Sequence, residues 1–315
     1  MTQPPANVVP VCYRHTDRET YVRCTRCDRP ICPDCMTEAS VGFQCPECVR
    51  EGGKTQRQAR TAFGGSQAGA AGTVTITLIV INVLVFIIGI ISAGRQAADG
   101  LGGGGLGGLL GGSTPLHDFG AEVPYFTARG SGVRLAGDSV ADGDWYQLFT
   151  AMFLHYGLLH LAMNMWALWI LGRPLEAALG RVRFLALYLL CGLGGGVLVF
   201  LLSAPNVPSA GASGAIFGMF SALIVVLRKM KLSVASIIPV LIFNLVVTFS
   251  FSGYISWQAH VGGLITGAIV AAGFAYAPPK QRTPIQVATV LGTLLLLGIL
   301  LGVGLANVPA VGTAA

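Results

Sequence analysis

A serine and a histidine embedded in apolar sequence are the residues of this chain best suited to chemistry. Ser213 lies in the glycine-rich run 211–218, and His260 lies in a later apolar run. An ionisable side chain inside a membrane is costly and marks a function. A serine hydroxyl becomes a nucleophile when an adjacent imidazole accepts its proton. The two residues therefore predict a hydrolytic Ser–His pair, although Ser213 alone would equally suit a tight crossing of two helices.

A second polar pair lies in an earlier apolar run. His160 and Asn164 are four residues apart, so on a helix their side chains face the same way. Both side chains can donate hydrogen bonds to one point. We place that point near the outer end of its span, at the depth of Ser213 and His260. The four side chains are therefore expected to converge.

Composition predicts a polytopic membrane protein of the all-α class. The 315 residues are 53% hydrophobic and 11% charged, with a mean hydropathy of +0.67. A helix needs about 20 apolar residues to cross a hydrocarbon core of roughly 30 Å. The sequence predicts seven such helices, near 74–93, 151–172, 184–203, 212–228, 233–251, 258–277 and 285–306. No cleaved signal peptide is predicted, because no basic region followed by an apolar one opens the chain.

The positions of the basic residues predict the orientation. Of the 20 Lys and Arg residues, 17 precede the first predicted span or lie in loops on that same side. The positive-inside rule then puts the N-terminus in the cytoplasm and the C-terminus outside. Topology accounts for the sequence pI of about 9.0, so no nucleic-acid partner is expected. The Ala- and Gly-rich composition favours a bacterial plasma membrane.

Seven of the eight cysteines lie within residues 12–48, together with one histidine. They form four pairs, and within each pair two residues separate the two members, which is the spacing of zinc knuckles. The candidate ligands are Cys12, His15, Cys24, Cys27, Cys32, Cys35, Cys45 and Cys48. Eight ligands predict two zinc ions. We favour an interleaved arrangement, with the first and third pairs on one ion and the second and fourth on the other, but spacing alone leaves the pairing open.

A disulfide framework is the alternative for these cysteines, and a reducing cytoplasm argues against it. The segment resembles a B-box-type zinc finger, except that Cys45 and Cys48 stand where that family more often has histidine. Because protein ligands fill both sets, the ions are expected to be structural, and catalysis is expected to need no cofactor. A cytoplasmic protein partner of this zinc head is a further expectation.

Three domains are predicted from these patterns. Residues 1–50 form the zinc-binding domain, 51–72 a flexible linker and 73–310 the membrane domain. The linker prediction rests on Gly, Ala, Gln and Arg without apolar periodicity. A glycine-rich run at 100–112 cannot hold a helix alone, and the sequence assigns it no role.

Three motifs make residues from about 145 to 277 resemble the rhomboid intramembrane serine proteases. The motifs are His160-x3-Asn164, Gly211-x-Ser213-Gly214 and Ala259-His260-x2-Gly263. The resemblance implies a six-helix core, to which this chain adds one C-terminal helix. It also implies an endopeptidase that works in the lipid bilayer and cleaves the transmembrane segments of single-span membrane proteins near the outer face.

The resemblance implies roles for the polar residues. Ser213 would be the nucleophile and His260 the general base, as a dyad without an acidic third member. His160 and Asn164 would form the oxyanion hole together with the backbone N–H of Ser213. Gly211 belongs to the motif that supports this site.

The resemblance also extends to neighbouring residues. Phe217 is expected to pack against the ring of His260, and His155 is expected to be structural. Many rhomboids carry Trp-Arg just before the second span, whereas this chain has Tyr146 and Gln147. That difference puts anchoring of the outer loop by an arginine in doubt. The segment 233–251 is the expected gate for lateral entry of a substrate.

Two other functions remain open at the level of sequence. One is a catalytically silent rhomboid-like scaffold that binds membrane clients and uses its zinc head to deliver them. The other is a transporter, but the seven predicted spans contain no carboxylates and the sequence has no obvious repeated halves, which would be the usual signs. An α/β-hydrolase is excluded, because its nucleophile follows a strand in a G-x-S-x-G turn and residue 215 is alanine within a predicted membrane helix.

Overall fold

The computed structural model describes residues 9–55, 60–65, 72–100, 112–128 and 133–312. The chain divides into two compact units, Met1–Ala59 and Arg60–Ala315. Within the glycine-rich run 100–112, residues 101–111 lie outside the described part.

The first unit is small and built around its cysteines. A 3-10 turn (Pro33–Cys35) is followed by a two-stranded antiparallel hairpin, β1 (Thr37–Glu38) with β2 (Phe43–Gln44), and by helix α1 (Pro46–Thr55). Helix α1 therefore includes residues 51–55 of the predicted flexible linker. An acidic residue in its first turn and a basic one in its last complement the helix dipole, which favours this extension.

The second unit is almost entirely helical. Its helices are α2 (Thr73–Gly100), α3 (Pro115–Gly120), α4 (Gln147–Thr150), α5 (Leu158–Leu179), α6 (Arg181–Leu202), α7 (Ser213–Lys229), α8 (Ile237–Ser250), α9 (Trp257–Tyr276) and α10 (Arg282–Asn307). Short 3-10 turns occupy Val140–Asp142, Ala151–Phe153 and Pro279–Gln281. Strands β3 (Phe126–Thr127) and β4 (Arg134–Leu135) form an antiparallel hairpin in the long loop before α4.

Four helical segments of the described chain are long and apolar enough to cross a membrane, namely Thr73–Ala93, Arg181–Leu202, Trp257–Tyr276 and Pro279–Asn307. A fifth arises if α4 with its following 3-10 turn and α5 count as one bent span. Helices α7 and α8, with 17 and 14 residues, are shorter than the usual span of about 20. The apolar helices are those of an integral membrane protein.

The second predicted span is broken rather than continuous. The chain bends by 92° between the segment Gln147–Phe153 and α5. The residue before α5 is Gly157, with a φ of +123°, a conformation that only glycine adopts without strain. The chain thus turns a corner at Tyr156-Gly157. The apolar character of the surrounding sequence gives no indication of this bend.

Helices α7 and α9 contact each other through their backbones. A Cβ added to Gly263 would lie 1.8 Å from the carbonyl oxygen of Gly214, and one added to Gly267 would lie 2.1 Å from that of Gly218. Only glycine allows so close an approach. These contacts set the distance between the helix that carries Ser213 and the helix that carries His260.

A buried carboxylate ties α2 to α5. Glu176 accepts hydrogen bonds from the backbone N–H groups of Val74 and Thr75, at 3.0 and 2.9 Å, and from the Thr75 hydroxyl at 2.9 Å. A carboxylate at a helix N-terminus satisfies free N–H groups and complements the helix dipole. Helix α5 continues to Leu179, beyond the predicted end of the span at residue 172. The acidic residue Glu176 therefore lies within this helix, although none lies within the predicted span.

Candidate functional site

All six residues proposed for catalysis line a single cavity of about 1000 Å³. They are Ser213, His260, His160, Asn164, Gly211 and Phe217. The cavity lies among α5, α6, α7, α8 and α9, and it is also walled by the loop that precedes α7. Polar groups from distant parts of the sequence therefore share one concave site, which is the usual form of a ligand or substrate site.

Ser213 is the first residue of helix α7. The preceding Gly211 has a φ of +139°, so the chain turns sharply into the helix where a side chain would be strained. The first N–H groups of a helix have no partner within it, and they attract negative charge. The hydroxyl thus stands next to a place suited to a developing oxyanion.

His260 lies in the first turn of α9 and is 6% exposed. Its ring stacks on that of Phe217, with ring centroids 3.9 Å apart and planes inclined by 14°. Phe217 is four residues after Ser213, on the same face of α7. The stacking therefore holds the imidazole over the face of the helix that presents the serine.

His160 and Asn164 lie on α5, at the wall formed by the loop before α7. A Cβ added to Gly211 would lie 2.9 Å from both Cε1 and Nε2 of His160. The His160 ring therefore packs directly on the backbone two residues before Ser213. Asn164 Nδ2 donates to the His160 carbonyl oxygen at 2.8 Å, and the second hydrogen of that amide remains for a ligand.

His155 packs behind the site. It precedes the corner at Gly157 instead of extending α5 by a turn. Its ring lies edge-on to His160 with centroids 5.0 Å apart, and its Nε2 accepts the N–H of Ala212 at 3.5 Å. With 1% exposure, His155 supports both the loop before Ser213 and His160.

Gln147 holds together the loop that precedes α4. Its side chain is fully buried. Its Oε1 accepts the N–H of Val123 at 3.1 Å, and its Nε2 donates to the carbonyl oxygen of Asp138 at 3.0 Å. A neutral amide thus joins two segments of the loop without burying a charge.

Two residues of the cavity wall, Glu122 and Thr248, were not predicted from the sequence. Glu122 is 2% exposed and its Oε1 has no hydrogen-bond partner. Its backbone pairs in both directions with Ser209, two residues before Gly211, with N–O distances of 2.9 and 2.8 Å. Thr248, which is 1% exposed, reaches His260 from α8. Glu122 gave no signal because it lies in irregular loop sequence, and Thr248 because threonine is common in apolar helices.

Replacing Glu122 by glutamine is expected to stabilise the fold increasingly as pH rises. Burial raises the pKa of Glu122 well above its ordinary value of 4.5. Stability from the neutral carboxyl is therefore complete below about pH 4.5 and is lost as pH rises through the raised pKa. Glutamine keeps the shape and does not titrate. Thermal unfolding of purified wild type and Glu122→Gln at pH 4 and pH 8 measures the difference, with the exposed Asp118→Asn as control. If Glu122→Gln raises the melting temperature equally at pH 4 and pH 8, the prediction of a raised pKa for Glu122 is wrong.

The candidate metal ligands of the first unit lie in two groups of four. The groups are Cys12, His15, Cys32 and Cys35, and Cys24, Cys27, Cys45 and Cys48, each with its atoms within 4.8 Å of one another. His15 Nδ1 lies 3.2 Å from Cys32 Sγ and 3.5 Å from Cys35 Sγ. Zn–S bonds of about 2.3 Å at tetrahedral angles put sulfurs about 3.8 Å apart, and Cys27 Sγ lies 3.7 Å from Cys45 Sγ. Either group could hold a metal ion.

One thiol in each group has a lowered pKa, which favours its thiolate form. Burial raises the pKa of Cys12, but backbone hydrogen bonds outweigh that effect and lower the pKa to about 6. Cys24 behaves in the same way, with a pKa of about 6. Thiolate is the form that ligates metal. Burial and the neighbouring thiols raise the pKa of Cys35 to about 11, so binding an ion there would release a proton.

Comparison with known proteins matches residues 142–277 to the Rhomboid domain. The chain is 44% identical to rhomboid protease GluP of Bacillus subtilis (strain 168) over 42% of this chain and 27% of that protein. It is 35% identical to RHOMBOID-like protein 6, mitochondrial, of Arabidopsis thaliana over 41% of this chain and 43% of that protein. The chain thus covers less than half of either relative.

A shorter relative is covered more fully. The B. subtilis protein YdcA, named as a candidate rhomboid protease, is 34% identical over 45% of this chain and 73% of its own length. The region 142–277 that matches the Rhomboid domain includes the whole cavity-lining set from α5, α7 and α9. This chain belongs to the rhomboid family.

Proposed function

We propose that the protein is an intramembrane serine endopeptidase that cleaves transmembrane segments of other membrane proteins with a Ser213–His260 dyad. One observation carries the proposal: the ring of His260 stacks on Phe217, on the face of the helix that begins with Ser213, and both residues line the cavity that holds His160 and Asn164. The family membership and the relatives named rhomboid protease support it.

The chemistry follows from this arrangement. His260 takes the proton of Ser213 Oγ while that oxygen attacks the scissile carbonyl carbon. The carbonyl oxygen becomes an oxyanion, which hydrogen bonds from His160, Asn164 and the N–H of Ser213 stabilise. The imidazolium then gives its proton to the leaving amine, and the peptide C–N bond breaks. Water, activated by His260, releases the acyl group and restores the serine.

The orientation and organisation of the chain belong to the same proposal. Seven spans, with α7 and α8 as short spans, put the N-terminus in the cytoplasm and the C-terminus outside, in a bacterial plasma membrane. Ser213 then opens to the outer half of the bilayer. We assign residues 1–50 to a zinc-binding domain, 51–72 to a linker that begins in helix α1 and buries Phe63 in the core of the second unit, and 73–310 to the membrane protease.

The remaining parts have proposed tasks. Two structural zinc ions fold the head, which binds a cytoplasmic protein partner. Single-span membrane proteins are the substrates, and they enter sideways past α8. The exposure of α8 supports this entry route, because Thr248 is its only buried residue.

A fluorophosphonate probe tests the nucleophile without knowledge of the natural substrate. Such probes phosphonylate activated serines. We expect wild type in detergent to be labelled at Ser213, as located by peptide mass spectrometry, and Ser213→Ala to remain unlabelled. Ser203→Ala, which changes another serine of the cavity wall, should label like wild type. Equal labelling of wild type and Ser213→Ala would refute the dyad, and absence of labelling from all three would favour the silent scaffold.

A further inference from the structure

The ring of His260 forms a hydrogen bond with a hydroxyl of helix α8. Its Nδ1 lies 2.8 Å from Thr248 Oγ1, and both residues are buried. Within α8, Thr248 is the only buried residue. The one side chain that α8 buries is thus the one that contacts the proposed base.

The hydrogen bonds of Thr248 decide whether its hydroxyl or His260 Nδ1 is the donor in this contact. Its Oγ1 also lies 2.7 Å from the carbonyl oxygen of Asn244, one turn earlier in α8. A hydroxyl has one hydrogen to donate, and the carbonyl can only accept. If the Thr248 hydroxyl donates to Asn244, it can only accept from the histidine, so Nδ1 must carry a proton. Nε2 is then the unprotonated nitrogen.

The reaction cycle favours the same assignment. Transfer of the Ser213 proton to Nε2 makes an imidazolium, in which both nitrogens are donors. A hydroxyl that accepts from Nδ1–H therefore suits both the neutral ring and the imidazolium. A hydroxyl that donated to Nδ1 would put the proton of the neutral ring on Nε2 and would remove the base.

We propose that Thr248 is a positioning residue that holds His260 in the Nδ1–H tautomer and so leaves Nε2 free to accept the proton of Ser213. The inference rests on the proposed Ser213–His260 chemistry. Thr248 acts through His260, because its hydroxyl contacts Nδ1 and not the nitrogen that takes the proton. It takes the orienting place that a carboxylate fills in a Ser-His-Asp triad, with a neutral group that can be buried at lower cost.

Enzyme kinetics with three variants test the role. Thr248→Val keeps the shape and removes the hydroxyl, whereas Thr248→Ser keeps the hydroxyl. Thr289→Val is the matched control, because the Thr289 hydroxyl makes the same bond to the carbonyl four residues earlier and lies outside the cavity wall. The assay uses full-length protein in lipid vesicles and a fluorogenic single-span substrate.

Thr248→Val is expected to lower kcat by roughly 10-fold or more, the effect of losing one buried hydrogen bond, with KM changed by less than about 2-fold. Thr248→Ser should keep most of the wild-type kcat, and Thr289→Val should match wild type. Equal kcat for Thr248→Val and wild type would overturn the proposal, as would equal loss in the valine and serine variants. If Ser213→Ala cleaves like wild type, the proposed function itself fails. If Ser213→Ala loses cleavage but the Thr248 variants cleave like wild type, only this inference fails.

A spectroscopic measurement is independent of turnover. Nitrogen-15 NMR of protein labelled at histidine separates the two neutral tautomers, and His260→Gln identifies the signal of His260. We expect the Nδ1–H tautomer in wild type and a mixture in Thr248→Val. The Nε2–H tautomer in wild type would overturn the proposal even if the valine variant proves too unstable for kinetics.

Discussion

Replacing Ser213 or His260 by alanine is expected to lower cleavage of a single-span membrane substrate by at least roughly 1000-fold. Removing a nucleophile or its base from a serine hydrolase removes the covalent route and leaves only the modest help of oxyanion binding and substrate positioning. Because the two residues act as one unit, the double variant should be no worse than either single one.

The measurement is the initial rate of product formation in lipid vesicles, read by gel or fluorescence, at matched amounts of folded protein. Ser203→Ala is the control, since Ser203 lines the same cavity but begins no helix. Rates within about 3-fold of wild type in both alanine variants would contradict the protease assignment. Stable binding of the substrate by such variants and by wild type, without cleavage by any of them, would point to the scaffold.

Loss of metal is expected to unfold the zinc head. Apart from the ligands themselves, Ile31 is the only fully buried apolar residue in the described core of this unit. So small a core cannot offset the entropy of ordering the chain, whereas structural zinc contributes about 10–16 kcal/mol of apparent binding free energy in zinc-finger peptides. We expect wild type to hold two zinc ions per chain, and Cys24→Ser to lose one of them together with the local fold.

Elemental analysis gives the zinc content, and hydrogen exchange across residues 9–55 gives the local stability. A strong chelator should abolish the protection of that segment. Cys191→Ala is the control, because Cys191 is buried in α6 and belongs to neither ligand group. Metal-free protein that keeps full protection, with its cysteines joined in disulfides, would instead support the disulfide framework.

Spacing within one helix or one knuckle was readable from the sequence. The separation of four places His160 and Asn164 on one face of α5, and the two-residue spacing within each ligand pair places both of its members in the same group. Such local patterns transfer directly to structure, because helix and knuckle geometry are fixed over a few residues.

Features that depend on contacts between distant segments were not readable. The corner at Gly157 lies inside apolar sequence, and burial of Glu122 depends on the loop folding against α6. The role of Thr248 depends on where α8 meets α9. Apolar periodicity says which residues avoid water, but it does not say which polar groups face each other across a cavity.

The backbone contacts between α7 and α9 have a mechanical consequence. At Gly214 with Gly263, and again at Gly218 with Gly267, no side chain stands between the two helices. We expect α7 and α9 to move together, because there are no side chains at these points whose repacking could let the helices slide or spread. In the proposed protease, we therefore expect any opening of the cavity that admits a transmembrane segment to come from elements around α7 and α9, while Ser213 and His260 keep their mutual distance.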